Sequence, residues 1–336
     1  MKIPRYHNET TVYEADTCQP VVEAIKKGTL VQEALARGHY PGRRLTDGML
    51  PGVKSVGFWD ARKPQDWGLD PHRNEGVELT FLETGHLAFK VDGDNYQLSP
   101  DHLTITRPWQ EHSLGDPHIG ANRLHCLIID VKVRRPNQTW EWPGWLILSP
   151  ADIDQLTRIL RHNEQPVWKA NSSIRRCFHD IGESVVADRN GSSTSQLALR
   201  INELLILLLD MFRKEKLMLD SNLSSSQRTV ELFLKTLARD TDLLAYDWSL
   251  KKLAKSCGLG VTQFTNHCKR LTNLSPNEYL NVKRLEKSKQ LLLDTDLSVL
   301  QIALKCGFGS SQYFATVFRR QEGITPRDFR KEHVEA

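Results

Sequence analysis

No part of this 336-residue chain is apolar for long. Its greasiest run, INELLILLLDMF at 201–212, is interrupted by Glu203 and Asp210, well short of the roughly 20 apolar residues that cross a membrane. The first residues, MKIPRYHNETTVYEAD, carry no basic segment leading into an apolar one, so neither a secretory signal nor a membrane partner is expected. Cysteine is sparse: Cys18, Cys126, Cys177, Cys257, Cys268 and Cys306 include no CxxC pair and lie mostly within apolar patterns. That usage points to buried, unpaired thiols in a reducing cytoplasm. There is no low-complexity tract, and with 39% hydrophobic and 26% charged residues the composition excludes a disordered chain.

Charge is nearly balanced overall but not along the chain. The formal net charge is +4, yet from Arg228 onward 18 Lys and Arg face 12 Asp and Glu, a net +6 that leaves −2 for the rest. A basic last third is the electrostatic footprint of a nucleic-acid-facing domain, although many solvated helical domains share it. Length predicts two domains. Residues 52–147 alternate β-branched and aromatic residues with polar ones, as in VELTFL, HLAFKV and HLTITR, with turn signals such as Asp92-Gly93. Such spacing fits short antiparallel strands in a sandwich or barrel. From Ser149 the period becomes helical, in ADIDQLTRILRH, SSIRRCFHDIGESVVA and SQLALRINELLILLLDMFRKEK, giving an α+β arrangement.

The serine-rich segment 219–227 reads as a linker between a β-rich domain with trailing helices over 51–218 and an all-α domain over 228–334. Residues 1–50 form an N-terminal extension. It holds one amphipathic stretch, VVEAIKKGTLVQEALARG, and a Pro/Gly-rich connector, YPGRRLTDGMLPG, and either covers the barrel or reaches the other domain.

The all-α region repeats itself: CGLGVTQFTNHCKRLTNLSP at 257–276 returns as CGFGSSQYFATVFRRQEGITP at 306–326. Each copy parses as helix, glycine turn, helix. Ser249 caps a helix with Leu250, Leu253, Ala254 and Cys257 on one face, ended by Gly258. Ser298 and Gln301 form a capping box ahead of Val299, Ile302, Ala303 and Cys306, closed by Gly307. This is the helix-turn-helix pattern. In the helix that follows, Phe264 and Cys268, or Phe314, Val317 and Phe318, face inward. Thr262, Gln263, Thr265, Asn266, Lys269 and Arg270 in the first copy are free to point out, as are Ser311, Gln312, Tyr313, Thr316, Arg319 and Arg320 in the second. Amides and hydroxyls read base edges, and basic residues at the helix end hold phosphates. Any solvated helix is polar outside, but the same array found twice, each time after a glycine turn, favours DNA. SPNEY and TPRDF then start further helices, with Ser275, Pro276 and Glu278 answered by Thr325, Pro326 and Asp328. Between the copies, PNEYLNVKRLEKSKQLLL is a rigid spacer of about five helical turns. Two reading helices on one such monomer could enter successive major grooves, roughly 34 Å apart.

Residues 226–332, above all IALKCGFGSSQYFATVFRRQEGITPRDFRK with RLEKSKQLLLDTDLSVLQ before it, closely resemble the C-terminal DNA-binding domain of the AraC/XylS family of transcription regulators. The resemblance implies seven helices with helix-turn-helix units at 250–271 and 299–320. It further implies a ligand-responsive regulator, an activator of a catabolic or transport operon, with promoter DNA, RNA polymerase, a small-molecule effector and a second copy of the chain as partners. Neither catalysis nor a cofactor is implied. The first copy departs from the family pattern at His267-Cys268, where an apolar-aromatic pair is usual.

The resemblance also implies a cupin-like antiparallel β-barrel followed by dimerisation helices. HRNEGVELTFLETG (72–85) is similar to the first cupin metal motif, with His72, Glu78 and Gly85 in place but Asn74 where a second histidine would stand, and RPWQEHSL offers His112. Two His and one carboxylate suit Fe, Mn or Zn. With one ligand absent, the favoured reading is that no metal is held and that His72, Glu78 and His112 line an effector pocket with Trp109. The alternative is a metal-dependent cupin enzyme fused to a DNA-binding domain. A cysteine-based alkyl-transfer sensor would need a cluster where Cys18 stands alone. Seven of the eight Trp precede residue 170, and tryptophan faces suit sugars, a common effector class in the family. Leu197, Ile201, Leu204, Leu205, Leu208, Met211 and Phe212 give the helix at 197–213 an apolar surface wide enough for a dimer seam, or for burial within its own domain.

Overall fold

The alternating segments become strands in the computed structural model, which describes residues 5–8, 11–14, 18–45, 48–133, 138–215, 217, 219 and 225–334. β1 (Arg5–Asn8) and β2 (Thr11–Glu14) pair with each other and are followed by α1 (Gln19–Lys26). Next come β3 (Val31–Ala36), β4 (Arg43–Arg44), β5 (Val53–Ala61), β6 (Leu69–His72), β7 (Val77–Gly85), β8 (Leu87–Val91) and β9 (Asp94–Leu98). β10 (His102–Thr106), β11 (His112–Leu114), β12 (Asn122–Ile129), α2 (Pro150–His162), β13 (Val167–Lys169), α3 (Ser172–Ala187) and α4 (Thr194–Lys214) follow, and from α1 onward all these elements belong to the first of two compact units. Seven strands in the order β13-β10-β7-β12-β5-β3-β4 make one sheet and four in the order β6-β11-β8-β9 the other.

The stretch VVEAIKKGTLVQEALARG does not form one helix. It breaks at Gly28 (φ +71), and its second half is β3, paired along β5 from Val31↔Asp60 to Ala36↔Ser55. The hydrogen-bonding edge that β5 offers overrides the helix propensity of Glu, Ala and Leu. The large sheet thus takes in residues 31–44, ahead of the 51–218 span read from sequence.

Successive side chains on a strand point to opposite faces, and the seven-stranded sheet has a different neighbour on each. Val56, Leu79, Phe81 and Leu103 join Phe178 of α3 and Leu204 of α4 in one core. On the other face Ala61, Leu82 and Leu124 meet Leu87, Phe89 and Leu114 of the four-stranded sheet in a second core. Further along that inner face the buried residues turn polar, with Ser55, Glu78, Thr80, Thr104 and Thr106 all at 8% exposure or less. All seven apolar residues singled out on 197–213 are buried in the first core. They pack inside their own unit, and the apolar residues that α4 leaves exposed are Leu199 and Ile206.

The second unit is helical: α5 (Ser226–Arg239), α6 (Thr241–Ala245), α7 (Leu250–Ser256), α8 (Val261–Thr272), α9 (Pro276–Asp294), α10 (Val299–Lys305), α11 (Ser311–Glu322) and α12 (Pro326–Val334). Among the described residues that is one helix more than the seven implied. The extra is the five-residue α6, made separate by Asp240, which ends α5 and whose side chain caps α6 at the Leu243 N–H (3.0 Å). Of the predicted linker, residues 220–224 lie outside the described residues, and Ser225 already caps α5 at the Arg228 N–H (3.1 Å). The unit has two cores joined by α9, whose Tyr279 and Leu280 pack with α5, α7 and α8 while Leu285 and Leu292 pack with α10 and α11. No helix among the described residues is long and apolar enough to cross a membrane.

The β3–β5 pairing depends on Gly57 (φ +150), where a Cβ would lie 2.1 Å from the Glu33 carbonyl oxygen and 2.6 Å from Ala34 Cα. Backbone atoms cannot yield as a side chain can. Gly57→Ala is therefore expected to destabilise the first unit by about 3 kcal/mol or more, read as a lower urea midpoint or as insoluble protein.

Candidate nucleic-acid interface and barrel cluster

Each helix-turn-helix is built from the same local chemistry. Ser249 accepts from the Lys252 N–H (3.2 Å) and Ser298 from the Gln301 N–H (3.2 Å), with Gln301 reaching back to complete a capping box. The first helices end at left-handed Gly258 (φ +67) and Gly307 (φ +81). Ala254 and Ala303, at 1% and 0% exposure, let the next helix approach closely. The second turn is one residue longer, and Ser310 there supplies the cap that Gly260 lacks, accepting from the Tyr313 N–H (3.1 Å). Phe264 and Phe314 then anchor α8 and α11, and Cys268 is buried at the position Phe318 fills in the second copy.

Burying that face turns the other to solvent. Thr262, Gln263, Asn266, Lys269 and Arg270 are exposed on α8, and Gln312, Tyr313, Thr316, Arg319 and Arg320 on α11. Two of the twelve residues read as outward do not present themselves fully. Thr265 is half-buried with its hydroxyl enclosed, because it follows the anchor Phe264 on the edge of the packed face. Ser311 is half-buried at the start of α11, its hydroxyl donating to Gln312 Oε1 (3.4 Å). His267 is also half-buried with Nδ1 enclosed, and burial followed by the Arg270 charge lowers its pKa, so it stays neutral beside the two cations of the helix end.

Sequence reading missed Arg284. This side chain, 9% exposed on α9, donates through Nε to the Leu244 carbonyl (2.8 Å) and through Nη2 to the Tyr246 carbonyl (2.8 Å) at the end of α6. It satisfies orphan helix-end carbonyls and fastens α6 to α9. Arg330 does the same for α9, donating to the carbonyls of Leu292 (3.0 Å) and Leu297 (2.7 Å). The only sequence signal was a lone Arg in the apolar register of a long helix.

In the first unit the structure brings His72, Glu78 and His112 together. His112 pairs directly opposite His72 across β11 and β6, their ring centroids 4.3 Å apart, and His112 Nε2 lies 2.8 Å from Glu78 Oε2 on β7. The Nδ1 atoms of both rings donate to carbonyls two residues back, Asp70 (2.7 Å) and Gln110 (2.9 Å). Nε2 of His112 therefore faces the carboxylate, and the contact is attractive only when that nitrogen also carries a proton. Asn74 takes the place of the missing histidine differently from a ligand: its Nδ2 donates to Glu78 Oε2 (3.0 Å). The Tyr40 hydroxyl reaches Asn74 Oδ1 (3.0 Å) and Glu75 Oε2 (2.7 Å), and Lys54 Nζ closes the chain at Glu75 Oε1 (2.9 Å). Tyr40 and Lys54 lie in no motif, and Glu75, though within 72–85, is not one of that motif's ligand positions.

Burial pushes the Glu78 carboxyl up, but His112, then His72 and the Asn74 amide, outweigh it and hold the group below its ordinary value. Burial and then the Glu75 charge raise the Tyr40 phenol well above its usual value, which keeps it a donor. The donor set does not fit a metal. An amide N–H occupies the carboxylate, and among the described residues no three His, Cys, Asp or Glu side chains are grouped to hold an ion. Trp109 is not an open platform either. It is 8% exposed, sits at φ +64, and its indole N–H donates to the Val133 carbonyl (2.7 Å). A separate cavity of about 280 Å³ opens on β8, β9 and β11 beside Lys90, Asn95, Tyr96 and Gln97, and none of the four predicted effector residues lines it.

A family model described as a helix-turn-helix domain matches residues 253–332. The HTH-type transcriptional activator RhaS of Klebsiella pneumoniae (strain 342) is 26% identical over 286 residues, 85% of this chain and 95% of its own. RhaS of Escherichia coli (strain SE11) is 26% identical over 264 residues, 77% of this chain and 87% of its own. Among solved structures, the C-terminal domain of the response regulator yesN from Fusobacterium nucleatum is 28% identical, covering 31% of this chain and 97% of that one with a TM-score of 0.28. An apo form of ToxT from Vibrio cholerae is 13% identical and covers 84% and 98%, with a TM-score of 0.36.

Gln312→Ala or Thr316→Ala should relax the preference for particular base pairs by about 1–3 kcal/mol each, whereas Arg319→Ala should weaken binding on all sequences and flatten its salt dependence. Titrations on matched and scrambled duplexes separate the two behaviours. In the barrel, a depressed Glu78 contributes stability that is complete above the unfolded value of about 4.3 and is lost as pH falls through the folded value. Glu78→Gln should cost about 2 kcal/mol or more at pH 7, and the gap in urea midpoint from the unsubstituted protein should narrow below about pH 4.

Proposed function

We propose that this chain is a member of the AraC/XylS family of DNA-binding transcription regulators, a reading that its helix-turn-helix match and its likeness to RhaS support, and that it is switched by a small molecule held in its β-rich unit and activates a catabolic or transport operon. The observation that carries the DNA reading is the repeated array: two glycine-turned helix pairs, each burying a phenylalanine anchor and exposing amides and hydroxyls ahead of two cations. Two such helices on one chain address two stretches of groove, and a dimer addresses two adjacent sites near a promoter. Leu199 and Ile206, seven residues apart on α4 and both exposed, are the positions we assign to the dimer contact. RNA polymerase is the partner of an activator placed in this way.

The polar barrel interior supports the sensing role. His72, Glu78, His112 and the threonine hydroxyls supply donors and acceptors for a polyhydroxylated effector, with sugars the class to test first. The effector acts by preferring one arrangement of the two units over another, since a ligand shifts an equilibrium only by its differential affinity. We place the protein in the cytoplasm, as a regulator and not an enzyme.

Fluorescence anisotropy of the full chain on DNA from upstream of its own gene, against random duplex at about 150 mM salt, tests this reading. Specific binding at least about 10³-fold tighter, altered by a sugar that also raises the thermal midpoint, is the expected result. Equal affinity for both duplexes, with and without sugars, would remove the proposal.

A further inference from the structure

The two helix-turn-helix units are not electrically equivalent. Over 250–272 the first carries Lys251, Lys252, Lys255, Lys269 and Arg270 and no acidic residue, a formal +5, while over 299–322 the second carries Lys305, Arg319 and Arg320 against Glu322, a formal +2. The recognition helices do not differ in cations, because Lys269-Arg270 and Arg319-Arg320 match. The difference arises on the first helix. Lys251 and Lys255 lie exposed one turn apart on α7, and at the matching positions α10 presents Leu300 and Leu304, at 52% and 55% exposure. Both helices are seven residues long, serine-capped and ended next to a left-handed glycine. One face of one repeated fold is thus lined with ammonium groups in the first copy and with apolar side chains in the second. Between Lys251 and Lys255, Lys252 places its ammonium on the Asp247 carbonyl (2.7 Å) and over the Tyr246 ring (5.0 Å).

We propose that Lys251 and Lys255 contact DNA phosphates, and that the first unit supplies more of the salt-dependent affinity than the second. When the second helix of such a unit enters the major groove, the first crosses the sugar–phosphate backbone, so cations on it lie where phosphates pass. Each phosphate neutralised releases condensed counterions and adds about 0.9 to the slope of log affinity against log salt. Lys251 and Lys255 then contribute up to about 1.8 to that slope, and Leu300 and Leu304 nothing. The assignment rests on the reading that α8 and α11 enter DNA grooves.

The test is the salt dependence of full-length protein binding, from roughly 50 to 300 mM KCl, on its specific site and on random duplex. Replacing Lys251→Ala together with Lys255→Ala is expected to lower the slope by about 1–2 and to weaken both duplexes by the same factor. Replacing Leu300→Lys together with Leu304→Lys is expected to steepen it by a similar amount. An unchanged slope in the alanine protein, at a native unfolding midpoint, overturns the assignment. So does a loss confined to the specific site, since phosphates carry no sequence, and so does a lysine protein that fails to steepen, since the two faces would not be equivalent. Unsubstituted protein without preference for its site would instead overturn the DNA reading itself.

Discussion

The left-handed glycine that closes the first helix of each repeat is the constraint on which the C-terminal unit depends. One helix can follow another at a steep angle after a few residues only when the residue past its end takes positive φ at little cost. At Gly307 the demand is double: φ is +81, and a Cβ would meet the Leu244 carbonyl oxygen at 2.7 Å and Arg284 Nη2 at 2.8 Å. Glycine therefore sets the direction of the turn and also lets α6 and α9 come up against it. The direction of α11 follows, and with it which residues Phe314 and Phe318 bury and which they leave to solvent. A reading surface for DNA is in this sense the remainder after a packing problem has been solved.

The β-rich unit is organised by a different economy. Burying carboxylates is tolerable only when each has charged or donating partners, and here they are chained, from Lys54 through Glu75, Tyr40 and Asn74 to Glu78 and His112. The last contact joins the two sheets, because Glu78 lies on β7 and His112 on β11. Any molecule that competes for Glu78 therefore acts on the joint between the two sheets. If the effector is held at this cluster, as proposed, sensing and sheet packing share the same atoms.

The helical unit was legible in the sequence almost residue by residue, since its determinants are local. Ser249 and Ser298 as caps, Gly258 and Gly307 as stops and the capping box at Ser275 act within four residues of where they stand. Thr265 escaped because its exposure depends on how closely α8 is packed, and Arg284 because its partners lie 38 and 40 residues away. In the other unit the strands were legible from their alternation, but the fate of VQEALA was not. Glu, Ala and Leu favour helix, and only the edge offered by β5 made that segment a strand.

What the sequence determined by itself is therefore the helix-turn-helix pair and its outward amides, hydroxyls and cations. Backbone conformation there follows from side chains next to it in the chain. What only the tertiary structure decided is the company that buried polar groups keep. Asn74 became a brace for Glu78 in place of a ligand, Trp109 a wall bonded to Val133, and the leucines of α4 a core. Each outcome required a partner distant in sequence, and hydrogen bonds and apolar contacts are settled by proximity in space.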